Sequence, residues 1–237
     1  MKTTSVELRQ LWEKRGNKNL QYKNRPELDK APSKDFKPLD AELIEIRLEN
    51  IKRRFHDLAK VLCVIWDIYK YNSELYGDSI LAFVGQQLVR GWPWTDFPLH
   101  SKKAWELIQQ KSDLITTGLY DHEINDSNFK VLTKKEKKGE NNKPGIVYEH
   151  WTPMSFFRDV FIIAKTNNIE LTQEIFYAIL IENYRVVRIT QEENKALETN
   201  KFKANRPINA YELVGIEIYE QEAWEQLNHL ALTEKDH

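Results

Sequence analysis

From Ala41 onward, apolar residues return at intervals of four and three: Ile44, Leu48, Ile51, Phe55, Leu58, Leu62, Ile65 and Tyr69. That spacing keeps one side chain per turn on a single face, so it predicts a long amphipathic helix from Asp40 to Asn72. Asp40 is its expected cap, with Pro38 at the boundary. Val61, Val64, Trp66 and Ile68 widen the apolar face in the second half, which predicts a core helix there, while Lys52, Arg53 and Arg54 predict a better-solvated first half. The same heptad also fits the seam of a homodimer through residues 44–69. Before it the chain is polar, with Leu8, Leu11, Trp12, Leu20 and Leu28 as scattered anchors and Pro26, Pro32 and Pro38 as breakers. This predicts a short helix from Ser5 to Lys14 within an extended N-terminal arm, residues 1–40.

Helical periodicity resumes at Ile80 to Val89 and at Ser101 to Gln110. Between them, "GWPWTDFPLH" reads as a rigid aromatic turn pinned into the core by its tryptophans, in preference to a platform for stacking bases. Beyond residue 111 the pattern changes. Phe129 to Thr133 and Gly145 to His150 are strand-like runs separated by a lysine-rich loop, which predicts a β-hairpin with a basic tip. Helices are expected at Pro153 to Lys165 and Thr172 to Asn183, and strands at Tyr184 to Ile189 and Val214 to Tyr219. A helix from Gln191 to Leu197 opens on Thr190 and Glu193, a capping box, and "EQEAWEQLNHLAL" reads as a closing helix. The fold class is therefore helix-rich α+β: an N-terminal helical half with one long amphipathic helix, then a small, mostly antiparallel sheet with helices. Its regions are the 1–40 arm, a helical region over 41–110 and an α+β region over 111–237, the last two sharing one core.

Composition narrows the class. A chain of 237 residues buries a substantial core without staples, and 30% charged residues with only 8 Gly and 8 Pro favour helices. Cys63 is the one cysteine, so no internal disulfide can form, and a reducing cytoplasm fits. No stretch has the length and apolarity of a signal peptide or membrane span, so no membrane partner is expected. With 35 Lys and Arg against 36 Asp and Glu there is no global basic signature, and DNA or RNA would have to be held by local patches. Lys135 and Lys138 in the hairpin tip and Arg185 and Arg188 in the next strand are the candidates, with Lys201, Lys203 and Arg206 in support. Alternation along a strand sends Arg185 and Arg188 to opposite faces, so separate phosphate contacts are expected in place of a joint clamp.

A glycine-rich phosphate loop, a paired-cysteine zinc site and a nucleophile elbow are all missing from the sequence, which leaves P-loop and serine-hydrolase chemistry without support. The densest supply of carboxylates and imidazoles is "LYDHEIND" with "VYEHWTP": Asp121, His122, Glu123, Glu149 and His150. Thr152 and Pro153 fit a helix start, which would put Glu149 and His150 at a strand end beside free amides suited to an anion. There a neutral histidine can take a proton from water, and a metal can bridge carboxylate and imidazole. "EHWTP" resembles the Asp-His-any-any-Pro stretch of HNH, or ββα-metal, nucleases in Glu149, His150 and Pro153, with Glu in place of the usual Asp. The resemblance implies that His150 activates water and Glu149 binds a divalent metal, magnesium or manganese. Here a helix follows at once where that family has a loop and second strand.

The expected function is thus metal-dependent phosphodiester hydrolysis. His150 would be the base, His122 a second catalytic imidazole, and Asp121, Glu123 and Glu149 the metal ligands. The alternative is a non-catalytic nucleic-acid-binding or adaptor protein working through the long helix and N-terminal arm, marked by an exposed apolar stripe from Ile44 to Phe55. In the plain structural reading, Glu149 salt-bridges a hairpin lysine and His150 bonds a carbonyl.

Overall fold

The computed structural model describes residues 2–16, 41–76, 78–90, 99–111, 146–200, 202, 206–207 and 209–219. Among them the chain is a helix-rich α+β protein. Its helices are α1 (Lys2–Gly16), α2 (Ala41–Tyr76), α3 (Asp78–Arg90), α4 (Lys102–Lys111), α5 (Met154–Thr166), α6 (Gln173–Asn183), α7 (Gln191–Thr199) and α8 (Ala210–Leu213). Its strands are β1 (Leu99–Ser101), β2 (Ile146–His150), β3 (Val186–Thr190) and β4 (Ile218–Tyr219). The expected hairpin partner of β2 at 129–133, the aromatic turn at 92–97 and the closing helix lie outside the described residues.

The long helix forms as its spacing predicts, and its heptad goes inward. Leu48, Ile51, Phe55, Leu58, Leu62, Ile65 and Tyr69 are all buried. That face packs on α6, while α3 folds back against α2 and lies on α5, giving two helical layers with the core between them. The heptad read as a homodimer seam over 44–69 is therefore consumed by the chain's own core along its described part, 48–69. The stripe expected from Ile44 to Phe55 is likewise covered at Leu48, Ile51 and Phe55. Lys52, read as solvated, is buried beside Glu49.

Helix α3 reaches α5 closely because of Gly85. A methyl group there would stand 2.8 Å from Cε2 of Phe161, so only hydrogen fits between the two helices. Helix α1 docks on α5 and α6 through Leu8 and Trp12, both in the apolar core, so the helix expected at Ser5 to Lys14 packs on the body of the protein.

The sheet order is β2-β3-β1-β4. β2 pairs antiparallel with β3, β3 parallel with β1, and β1 antiparallel with β4. β1, from the helical half, thus sits between two strands of the α+β half, and the buried apolar residues of both halves form one cluster. The strand expected at Val214 to Tyr219 forms only at Ile218–Tyr219, preceded by α8. The capping box is present as read: Thr190 Oγ1 accepts from Glu193 N at 3.2 Å, and Glu193 Oε2 accepts from Thr190 N at 2.7 Å.

Candidate functional site

Strand β2 delivers Glu149 and His150 opposite Val187 and Val186 of β3. As neighbours on a strand they project to opposite faces of the sheet, and their surroundings differ accordingly. The chain leaves the strand with Trp151 N donating to Arg185 O at 2.9 Å, and α5 follows. Pro153 occupies the cap position without a side-chain cap bond. Thr152, expected as the cap, is buried and instead accepts from Arg9 Nη1 at 3.0 Å.

Glu149 faces Arg206. The guanidinium is buried, and its Nη2 lies 2.5 Å from Glu149 Oε1. Its Nε donates to Phe202 O at 2.9 Å, and Nη1 donates to the backbone carbonyl of His150 and to Tyr211 Oη. Burial of Tyr211 pushes its phenol well above the ordinary range, so the hydroxyl stays intact as an acceptor. A second buried arginine continues the chain. Arg9 Nη2 donates to Arg206 O at 2.7 Å, and Arg9 Nε pairs with Glu13 Oε1 at 2.9 Å. Its guanidinium also lies over Trp12, 4.8 Å from the ring centre. A buried charge is tolerable only when its donors are met, and here two arginines spend theirs clamping β2, Phe202 and α1 together. Glu149 pairs with Arg206 and not with a hairpin lysine.

His150 lies on the other side. Its ring is half-buried against Tyr184, 5.8 Å between centres, and its Nε2 is sealed from solvent without a hydrogen-bond partner. Burial first, then the charges of Arg90 and Arg206, lower its pKa to about 4, so the imidazole is neutral at physiological pH.

A divalent cation does not fit this pair. Glu149 and His150 diverge across the sheet, and the Arg206 guanidinium already takes the place beside the carboxylate that a metal cation would need. Among the described residues no three His, Cys, Asp or Glu side chains gather closely enough to hold an ion. Asp121, His122 and Glu123 lie outside the described residues, as do Lys135 and Lys138.

Arg185, just ahead of β3, and Arg188, within it, stand in different surroundings. Arg185 is half-buried, its guanidinium 5.2 Å from the Trp151 ring. Arg188 is fully buried, stacked over Tyr148 at 5.2 Å and 3.4 Å from His100 Nε2. Arg188 is therefore an interior residue, not a surface contact for phosphate, and Arg206, offered in support of that patch, is interior too. The His100–Arg188–Tyr148 cluster escaped the sequence reading, because nothing local marks strand β1 or the ladder that brings His100 opposite Arg188.

A different feature stands out on the surface. Beside the core face of α2 runs a second apolar row, where Val61, Val64, Ile68 and Tyr71 repeat at three, four and three residues and are 40–79% exposed. Of the four residues expected to widen the core face, Trp66 is buried, while Val61, Val64 and Ile68 are exposed. At 100° per residue the four of the second row centre about 110° round the helix from Leu58, Leu62, Ile65 and Tyr69, on the flank that the body leaves open. On α3, Ile80, Phe83, Val84 and Leu88 are 40–57% exposed, opposite the inward-facing Ala82, Gly85 and Val89. The outer face of the α2–α3 hairpin is thus apolar across two adjacent helices. Charges beside it are neutralised along α2, Lys60 pairing with Asp57 at 3.1 Å and Lys70 with Asp67 at 2.9 Å. Among the described residues no helix is long and apolar enough to cross a membrane. No family model, curated protein or solved structure matches the chain.

Proposed function

We propose that this protein is a non-catalytic adaptor that binds a helical protein partner through the outer face of the α2–α3 hairpin. The carrying observation is the second heptad of α2, Val61 to Tyr71, which is solvent-exposed and continued by four apolar side chains of α3. A monomer's surface normally scatters its apolar residues singly, whereas rows of them on two packed helices are kept for an interaction. Spacing of three and four selects a helical partner, whose knobs need that repeat. A rim neutralised along its own helix offers little to phosphates.

Phosphodiester cleavage at His150 is the second reading. Its support is the neutral imidazole with a sealed, unpartnered Nε2. Against it stands the use of Glu149 and Arg206 in clamping the fold.

Two assays separate them. At submicromolar protein, a dye that fluoresces on apolar surfaces should bind the native wild type and bind the Val64→Asp, Phe83→Asp double variant much less. Plasmid DNA and structured RNA incubated with magnesium, manganese or EDTA should stay intact with wild type. Metal-dependent cleavage that disappears in His150→Ala would replace the adaptor reading with the nuclease one.

A further inference from the structure

We infer that the occupant of the α2–α3 outer face is a second copy of this chain, two hairpins closing on each other as a four-helix interface about a two-fold axis. The inference rests on the adaptor reading and names its partner. Three observations carry it.

α2 and α3 pack on each other and each carries an exposed apolar row, and two such helix pairs placed together give the geometry of a helical bundle. The eight apolar side chains leave roughly 800 Å² open, about what each partner gives to a stable interface of standard size. Charge complementarity is the third. A two-fold axis sets like residues near like, so unpaired charges on the face would repel their own copies. Here Lys60 and Asp57 are already joined, and so are Lys70 and Asp67, with Lys70 also reaching Glu170. Apolar residues at the centre and paired charges beside them suit self-association, whereas a partner of opposite charge would call for an unbalanced rim.

The seam differs from the one the first heptad suggested. The heptad Leu48 to Tyr69 fills the chain's own core, and the side chains available to a second copy are Val61, Val64, Ile68 and Tyr71 on α2 and Ile80, Phe83, Val84 and Leu88 on α3. Tyr71, the most exposed of them, carries the ammonium of Lys70 at 5.1 Å from its ring, so its apolar edge stays open to a neighbour.

Sedimentation of the full chain across the micromolar range tests this. Wild type should move from 28.2 kDa toward twice that mass as concentration rises. Val64→Asp with Phe83→Asp should remain at the lower mass with an unchanged circular dichroism spectrum, because both side chains point outward. Should that pair disturb folding, Tyr71→Arg at the most exposed position gives the same readout with less risk, as a weakened association. A wild type that stays monomeric at every concentration overturns the inference, and so does a dimer that survives these substitutions. Neither result touches the adaptor reading, which falls with His150-dependent cleavage.

Discussion

Arg206 and Glu149 meet with 2.5 Å between Nη2 and Oε1, the arginine side chain 1% exposed and the glutamate 22%. The two ends of this pair are unequal, because Arg206 has three further acceptors at Phe202 O, His150 O and Tyr211 Oη. Replacing it by Met strands all of these and leaves Glu149 without its cation, at a cost of about 3–5 kcal/mol. Glu149→Gln keeps an acceptor for Nη2 and loses only the charge, costing about 1 kcal/mol. Urea denaturation of the two variants should rank them in that order. A larger loss for Glu149→Gln would mean that Arg206 does not depend on its carbonyl partners.

The two faces of β2 also predict a pH dependence. His150 is held neutral in the folded chain down to about pH 4, against an ordinary value of 6.5. Between those values the unfolded chain takes up a proton that the folded chain refuses, so stability is complete above about pH 6.5 and falls as the pH drops toward 4. The slope approaches about 1.4 kcal/mol per pH unit and the total about 3 kcal/mol. Denaturation midpoints at several pH values should show this loss in wild type and a shallower one in His150→Phe. Parallel curves for the two proteins would remove His150 as the titrating group.

How much of this was legible depended on how local the cause is. Periodicity reports which side of a helix is apolar, so α2 and its core heptad could be read from spacing. The Thr190–Glu193 capping box could be read for the same reason, since both partners lie within one turn. Spacing did not reveal which part of the wide apolar face of α2 stays open, because Val61, Val64 and Ile68 acquire their meaning only once the body has covered Leu62, Ile65 and Tyr69. Strand β1 is three residues long and exists because Val187 and Arg188 lie beside it, a relationship that no local pattern records. Arg9 and Arg206 look like solvated cations in sequence, and their burial follows from carbonyls and carboxylates that the fold brings from far along the chain. The pairing of Glu149 with His150 was the most misleading feature, because adjacency in sequence means opposite faces on a strand.

Gly85 makes the packing of α3 on α5 testable. Alanine would favour the helix by about 1 kcal/mol. Its methyl group, however, would stand 2.8 Å and 2.9 Å from Cε2 and Cζ of Phe161. That ring cannot yield easily, being set among Tyr69, Trp66 and Phe176 with centres 5.8, 6.3 and 5.5 Å away. Overpacking costs of about 1–3 kcal/mol therefore exceed the helical gain, and Gly85→Ala should destabilise by about 1 kcal/mol. Gly85→Ala combined with Phe161→Leu should recover part of that loss. An unchanged or raised melting temperature for the single variant would show that the ring has room to move.

Helix α1 is held by a side chain that is both apolar and polar. Trp12 is buried with its ring edge-on to Phe156 at 5.4 Å, Arg9 stacks on it, and its Nε1 donates to Asp159 Oδ2 at 3.2 Å. Trp12→Ala removes the packing and the hydrogen bond together, and an aromatic truncation in a core costs about 3–5 kcal/mol. Trp12→Phe keeps most of the buried area and loses the N–H, at about 1 kcal/mol. Because Arg9 reaches Thr152 and Arg206 O from the same helix, releasing α1 also removes a clamp from the end of β2. Hydrogen exchange should therefore quicken in Trp12→Ala at residues 150–152 as well as within α1, while the α2–α3 hairpin changes little. Faster exchange confined to α1 would mean that the Arg206–Glu149 pair holds the strand end without help from Arg9.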